Sequence, residues 1–195
     1  MSRLQLSTFT HSKIMPVAVV TGSNKGIGFG IVRSLCKKFE GDVILTSRNE
    51  ERGRDAVQAL KIEGLNPKFH LLDICDEKSV INLRDFIKEN YGGIDILVNN
   101  AGVAFTDDLI NLFSEELNRD KATFGHQARV TLTTNYWATK KACEILFPIL
   151  KPGARVVNVS SSAGYLGQIG SIPSWTKGNQ VVIFKIFHFQ FKTRL

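Results

Sequence analysis

Five short apolar runs recur along the chain, at residues 17–20, 42–46, 69–72, 94–98 and 155–159, and between successive runs lie stretches in which apolar positions return every three or four residues. Runs of four or five residues with little polar alternation predict strands buried on both faces. The intervening period predicts helices laid over them. The first helix carries the stripe Ile27, Ile31, Leu35 and Phe39, and Gly41 ends it. A second spans 50–63 with Ala56, Val57, Ala59 and Leu60 on its apolar side and Gly64 behind it. A third begins at Asp76, carries Val80, Leu83, Phe86 and Ile87, and stops at Tyr91-Gly92-Gly93. A fourth runs from 128 to 150 and is stopped by Lys151-Pro152-Gly153. Residues 105–127 are polar, acid-rich at first and only weakly helical around 109–117, which reads as a surface insertion. The order β-α-β-α-β-α-β-α-β predicts an α/β fold with a doubly wound parallel sheet.

The first strand ends at Thr21 and gives way to Gly22-Ser23-Asn24-Lys25-Gly26-Ile27-Gly28. Three glycines at a strand-to-helix turn let a phosphate lie against bare backbone, while the unpaired N–H groups and positive dipole end of the next helix face the same spot. This is the phosphate half of a dinucleotide site, or else a tight turn with no ligand. At the end of the second strand stands Thr46-Ser47-Arg48, with no acid where a ribose 2′-hydroxyl would need one. Arg48, together with Lys25 in the turn, points to a 2′-phosphate and so to NADP; the alternative is two solvated surface charges. Asp73, at the end of the third strand, suits an adenine amino group or an ordinary cap of the following helix. Asn99-Asn100-Ala101-Gly102 closes the fourth strand with amides that can tie strand ends together and small residues that let a ligand come close.

Composition changes this picture little. The formal charge is +7, but residues 1–15 hold Arg3 and Lys13 with no acid, and residues 171–195 hold Lys177, Lys185, Lys192 and Arg194 with no acid. The basic excess therefore belongs to the two ends, and the body carries no basic and aromatic stripe suited to nucleic acid. Cys36, Cys75 and Cys143 are far apart and form no Cys-x-x-Cys pair, as expected of packed or inert thiols in a reducing compartment. The four histidines show no ligand spacing, so no metal is expected. No run approaches the ~18 apolar residues of a membrane helix. Residues 1–15 lack the apolar centre of a secretory signal and read as an extension.

Taken together, Thr21-Gly-x-x-x-Gly-x-Gly28, Asn99-Asn-Ala-Gly102, Asn135 in the long helix and Asn158-Val-Ser-Ser161 resemble the short-chain dehydrogenase/reductase family in order and separation. Ser23-Asn-Lys-Gly-Ile-Gly28, Leu45-Thr-Ser-Arg48 and the stretch from Tyr91 to Gly102 look more narrowly like the NADPH-dependent carbonyl reductases of animals. The likeness covers residues 16–105 and 128–162. It implies a Rossmann sheet in residues 16–162 and a cytoplasmic, monomeric or weakly associating reductase of small ketones, aldehydes and quinones. It implies NADP held by Gly22, Ser23, Asn24, Lys25, Gly26, Ile27, Gly28, Arg48, Asp73, Ile74, Asn100, Ala101 and Gly102. Ser161 would polarise the substrate carbonyl, and Asn135 would hold a water that leads from a catalytic lysine to solvent.

The family's tyrosine donates the proton, with a lysine one helical turn later lowering its pKa from about 10. In this sequence that pair is not found after Ser161: Tyr165 is followed four residues on by Ile169, and Lys177 is preceded by Pro173. Tyr136-Trp-Ala-Thr-Lys140 matches the spacing but precedes Ser161, so it is read as coincidence. The resemblance implies seven strands where five are seen, so the C-terminal part of the fold is expected to be missing. Residues 163–195 are expected to form an atypical tail. Its stretch 179–191, rich in β-branched and aromatic residues, is either an added edge strand or an aggregation hazard.

Overall fold

The computed structural model describes residues 15–104 and 124–161. Strands β1 (Val17–Val20), β2 (Asp42–Ser47), β3 (Lys68–Leu71), β4 (Ile94–Asn99) and β5 (Leu150–Asn158) form one parallel sheet in the order β3-β2-β1-β4-β5. Helices α1 (Gly26–Lys38) and α2 (Glu50–Ile62) cover one face. The other face is covered by α3 (Glu77–Tyr91) and by a long helical segment between β4 and β5. That segment is α4 (Phe124–Thr131), a π-helical stretch (Leu132–Ala138), α5 (Thr139–Leu146) and a short 3-10 turn (Phe147–Ile149).

Sheet alternation sorts β1 between two cores. Val17 and Val19 pack with Leu83, Ile87 and Leu146 on the α3 side, while Ala18 and Val20 pack with Val32 and Leu60 on the α1 side. A strand that must be apolar on both faces cannot alternate, which is why the run reads as continuous. Local chemistry sets the helix ends: the Asn49 side chain accepts from Arg52 N at 2.8 Å and that of Asp76 from Lys78 N at 3.0 Å. Gly92, at φ 68°, closes α3 in the left-handed conformation.

Four expectations shift. Ile27 is 68 % exposed rather than part of the core stripe of α1, whose buried members are Gly28 and Val32. Ala59 is exposed. Its place against the sheet is taken by Gly53, where an added Cβ would come within 2.0 Å of the Phe69 ring. The fourth helix begins at Phe124, inside the expected insertion, and Leu150 already belongs to β5. Lys151-Pro152-Gly153 sits within that strand as an irregularity, because Ile94 pairs with Leu150 while Ile96 pairs with Arg155.

The expected tail 163–195 with Ser162, the extension up to residue 14 and residues 105–123 of the insertion lie outside the described residues. Among the described residues no helix is long and apolar enough to cross a membrane, and no cluster of His, Cys, Asp or Glu is suited to a metal.

Candidate functional site

The carboxyl ends of β1, β2 and β4 are laced by buried hydroxyls and an amide. Thr21 Oγ1 accepts from the N–H groups of Asn100 and Ala101, each at 3.0 Å. Asn100 Nδ2 donates back to Thr21 O at 3.0 Å and Gly22 O at 2.9 Å. Toward β2, Thr46 Oγ1 accepts from Gly22 N at 3.2 Å and donates to Val20 O at 3.0 Å. Ser23 N donates to Thr46 O at 2.8 Å, and Thr46 N donates to Ser23 Oγ at 3.0 Å. The turn is therefore held from both flanking strands before any ligand arrives.

The glycines have separate reasons. An added Cβ at Gly28 would meet Asn100 Nδ2 at 2.4 Å and Gly22 O at 2.8 Å, so α1 can approach β4 this closely only without a side chain there. Gly26 has φ +59°, a value that disfavours any other residue, yet an added Cβ would meet nothing within 4 Å. It faces open space, and that space is a cavity of about 500 Å³.

Gly22, Asn24, Lys25, Gly26, Ile27 and Gly28 line this cavity on the turn side, and Arg48 lines it from the end of β2. Asp73 and Ile74 line it beyond β3, and Asn100, Ala101 and Gly102 beyond β4. Ser23 alone among the expected cofactor residues is not on it. Its side chain is wholly buried behind the turn, with the hydroxyl donating to Val20 O at 2.8 Å, so it holds the turn rather than facing a ligand. Lys25 and Arg48 are exposed and have no ion-pair partner among the described residues. Asp73 does not cap α3, which is the work of Asp76. One of its carboxylate oxygens, Oδ1, accepts from Cys75 N at 2.9 Å. Leu72, Cys75, Val103, Ala104 and Thr134 also line the cavity and were missed. Val103 and Ala104 simply extend a recognised motif, whereas Thr134 arrives from a helix distant in sequence.

A second cavity of about 320 Å³ adjoins the first, shares Ile27 and residues 100–104 with it, and is lined also by Asn135, Thr139, Asn158 and Ser161. Ser161 and Asn135 are thus brought to one place. The side chain of Asn135 is committed, however: Oδ1 accepts from Val103 N at 2.8 Å and Nδ2 donates to Val103 O at 2.8 Å. Asn135 thus fixes the backbone at Val103, on the wall that the two cavities share. Beneath, Asn99 Nδ2 donates to Asn158 Oδ1 at 2.9 Å and reaches Cys143 Sγ at 3.3 Å, tying the ends of β4 and β5 to α5. Burial pushes the Cys143 thiol up to about 11, so it stays protonated and inert.

Tyr136 and Lys140 line neither cavity. The Tyr136 ring packs edge-on against exposed Trp137, and Lys140 pairs with Glu144, which raises the lysine pKa. Tyr136 adds a smaller contribution in the same direction, so the two side chains lie within electrostatic reach of each other, but away from both cavities.

Comparison with known proteins agrees with this geometry. The short chain dehydrogenase profile matches residues 16–173. Carbonyl reductase (NADPH) 3 of Mus musculus is 55% identical over 148 residues, covering 76% of this chain and 50% of that protein. Carbonyl reductase (NADPH) 1 of Homo sapiens is 52% identical over 145 residues, covering 74% of this chain and 48% of its own length. The chain spans about half the length of the curated relatives it matches. Among solved structures, salutaridine reductase from Papaver somniferum superposes with a TM-score of 0.64 at 39% identity, covering 78% of this chain and 59% of that one. A metagenomic short-chain oxidoreductase in complex with NADP gives a TM-score of 0.58 at 26% identity, covering 77% of this chain and 64% of that one.

Proposed function

The chain belongs to the short-chain dehydrogenase family, and from that premise we propose that residues 16–162 bind NADPH in the larger cavity, with the lineage reaction being hydride transfer to a small carbonyl compound. One observation carries the reading. Two exposed cations from different elements, Lys25 and Arg48, with no ion-pair partner among the described residues, line a cavity whose floor is a glycine turn at a helix N-terminus.

The fit is physical. Gly26 leaves room where the pyrophosphate would approach, and Gly22 and Gly28 let the backbone close around it. Lys25 and Arg48 would take a 2′-phosphate through charge-assisted hydrogen bonds, the arginine with a planar fork. Asp73 would accept from the adenine amino group, while Ile74 and Ala101 give apolar walls. When bound, the nicotinamide supplies the hydride. Ser161 would donate to the substrate oxygen as negative charge develops there. Asn135 would keep Val103 in place through its paired hydrogen bonds.

What the reaction also needs is an acid to quench that charge, and no Tyr-x-x-x-Lys follows Ser161 within these 195 residues. The loss of a positioned general acid typically costs about 10² to 10⁴ in rate. We therefore read this chain as a cofactor-binding member of a reductase lineage that is itself catalytically impaired. Its setting is expected to be the cytoplasm, as a monomer or weak oligomer.

The test is a titration of the full chain with NADPH and NADH. Two charge-assisted contacts worth about 1.5–3 kcal/mol each predict at least tenfold tighter binding of NADPH, and Arg48→Asp should narrow or reverse the gap. Equal affinities would overturn the cofactor assignment. In parallel, quinone- or ketone-dependent oxidation of NADPH is expected to stay at background. Activity abolished by Tyr136→Phe in a folded protein would make the dismissed motif catalytic.

A further inference from the structure

The cations that define the cofactor reading belong to different elements, Lys25 to the glycine turn and Arg48 to the exit of β2, and both are exposed. Long exposed side chains discriminate one phosphate only if their backbones are held at a fixed spacing, since otherwise each pays its own ordering entropy. What holds them is a reciprocal pairing one turn further in. Ser23 and Thr46 are both fully buried, and each lies two residues before one of the cations. Ser23 N donates to Thr46 O at 2.8 Å, Thr46 N donates to Ser23 Oγ at 3.0 Å, and Thr46 Oγ1 receives Gly22 N at 3.2 Å. Both hydroxyls donate to the same acceptor, Val20 O, at 2.8 and 3.0 Å. The strand ladder does not extend this far: β1 pairs with β2 only from Val17 to Val20, opposite Asp42 to Leu45. Beyond Leu45 the register between the turn and the exit of β2 depends on the one main-chain bond from Ser23 N to Thr46 O and on these two side chains.

We propose that Ser23 and Thr46 are positioning residues for cofactor selectivity: their buried hydroxyl clamp sets the spacing of Lys25 and Arg48, and hence the preference for a nucleotide bearing a 2′-phosphate. The inference rests on the cofactor reading above. It adds that selectivity resides in two uncharged residues that no bound nucleotide would touch with a side chain.

The Thr46 hydroxyl performs a donation and an acceptance at once, which valine, equal in shape, can do neither of. Serine keeps both. Thr46→Val in the full chain is expected to weaken NADPH binding at least tenfold while NADH binding falls less than threefold. Thr46→Ser should keep the ratio of the unaltered chain. Ser23→Ala, which retains the Ser23 N to Thr46 O bond, serves as a second and milder break, expected to lose part of the ratio; melting curves verify that each variant is folded. In the Thr46→Val background, Arg48→Ala should change the ratio much less than it does alone, because the cation has already lost its place. A purely structural role would lower both affinities together and leave the ratio intact, and that result in folded Thr46→Val and Ser23→Ala proteins overturns the clamp. Equal affinities in the unaltered chain overturn the cofactor reading itself, which separates the two failures.

Discussion

The two ends of the sheet are built from the same five strands and solve opposite problems. At the amino ends, charges neutralise one another. Asp42 at the start of β2 receives Lys68 Nζ at 2.6 Å and Tyr91 OH at 2.9 Å, and Lys68 also donates to that hydroxyl at 3.0 Å. Asp95 near the start of β4 receives Val17 N and Lys151 Nζ, each at 2.8 Å. At the carboxyl ends the buried polar groups are hydroxyls and amides satisfied among themselves, while Lys25 and Arg48 line a cavity and, although Asp73 lines it too, form no ion pair among the described residues. Parallel strands expose unpaired backbone at both ends. One end closes with ion pairs and becomes structure. The other closes with neutral buried side chains, leaves Lys25 and Arg48 without an ion pair among the described residues, and opens the cavity proposed to hold the cofactor.

This contrast can be broken most severely at Gly28. Gly28→Ala forces a methyl group into Asn100 and the Gly22 carbonyl, and overpacking of this kind costs about 1–3 kcal/mol. Because the strain falls on the turn itself, NADPH affinity should drop by roughly a hundredfold, read by titration beside a melting curve. An unchanged affinity would mean that the turn does not carry the phosphate.

Asp95→Ala attacks the other end. It removes the acceptor of Val17 N and the partner of Lys151, and hydrogen bonds to a charged group are worth about 1.5–3 kcal/mol before allowance for partial exposure. Denaturant melts should show a loss toward the lower figure while the cofactor dissociation constant moves less than twofold. A parallel loss of binding would mean that the ends are coupled.

The mildest probe leaves the sequence untouched. Cys75 is exposed on the cavity wall, whereas Cys143 lies beneath the site with its thiol raised to about 11. Because the thiolate is the reactive form, a thiol-alkylating reagent at pH 8 should label Cys75 first and Cys143 slowly. Saturating NADPH should slow only the labelling of Cys75. Equal protection of both would point to a global tightening rather than occupancy of the cavity.

The chain by itself determined the first four strands to within a residue, the Asp76 start of α3 and which glycines turn, because a strand apolar on both faces, an Asp cap and a glycine with positive φ each depend on a few neighbours in sequence. It also announced most members of the larger cavity, since in a parallel sheet the segments after each strand converge on one edge, but not Thr134, which a distant helix brings in. The tertiary structure decided what required two distant segments to meet. Ile27 lies toward the cavities because the turn rotates the first residues of α1 away from the core, and Gly53 displaces Ala59 because Phe69 rises beneath it. Ser23, fit in sequence to face a phosphate, is buried because Thr46 offers it both a donor and an acceptor, and Asn135 is committed because Val103 does the same. Periodicity records which face of an element is apolar. It carries no record of which polar group on another strand will satisfy a given hydroxyl or amide, and that pairing separates the residues that build this site from those free to bind in it.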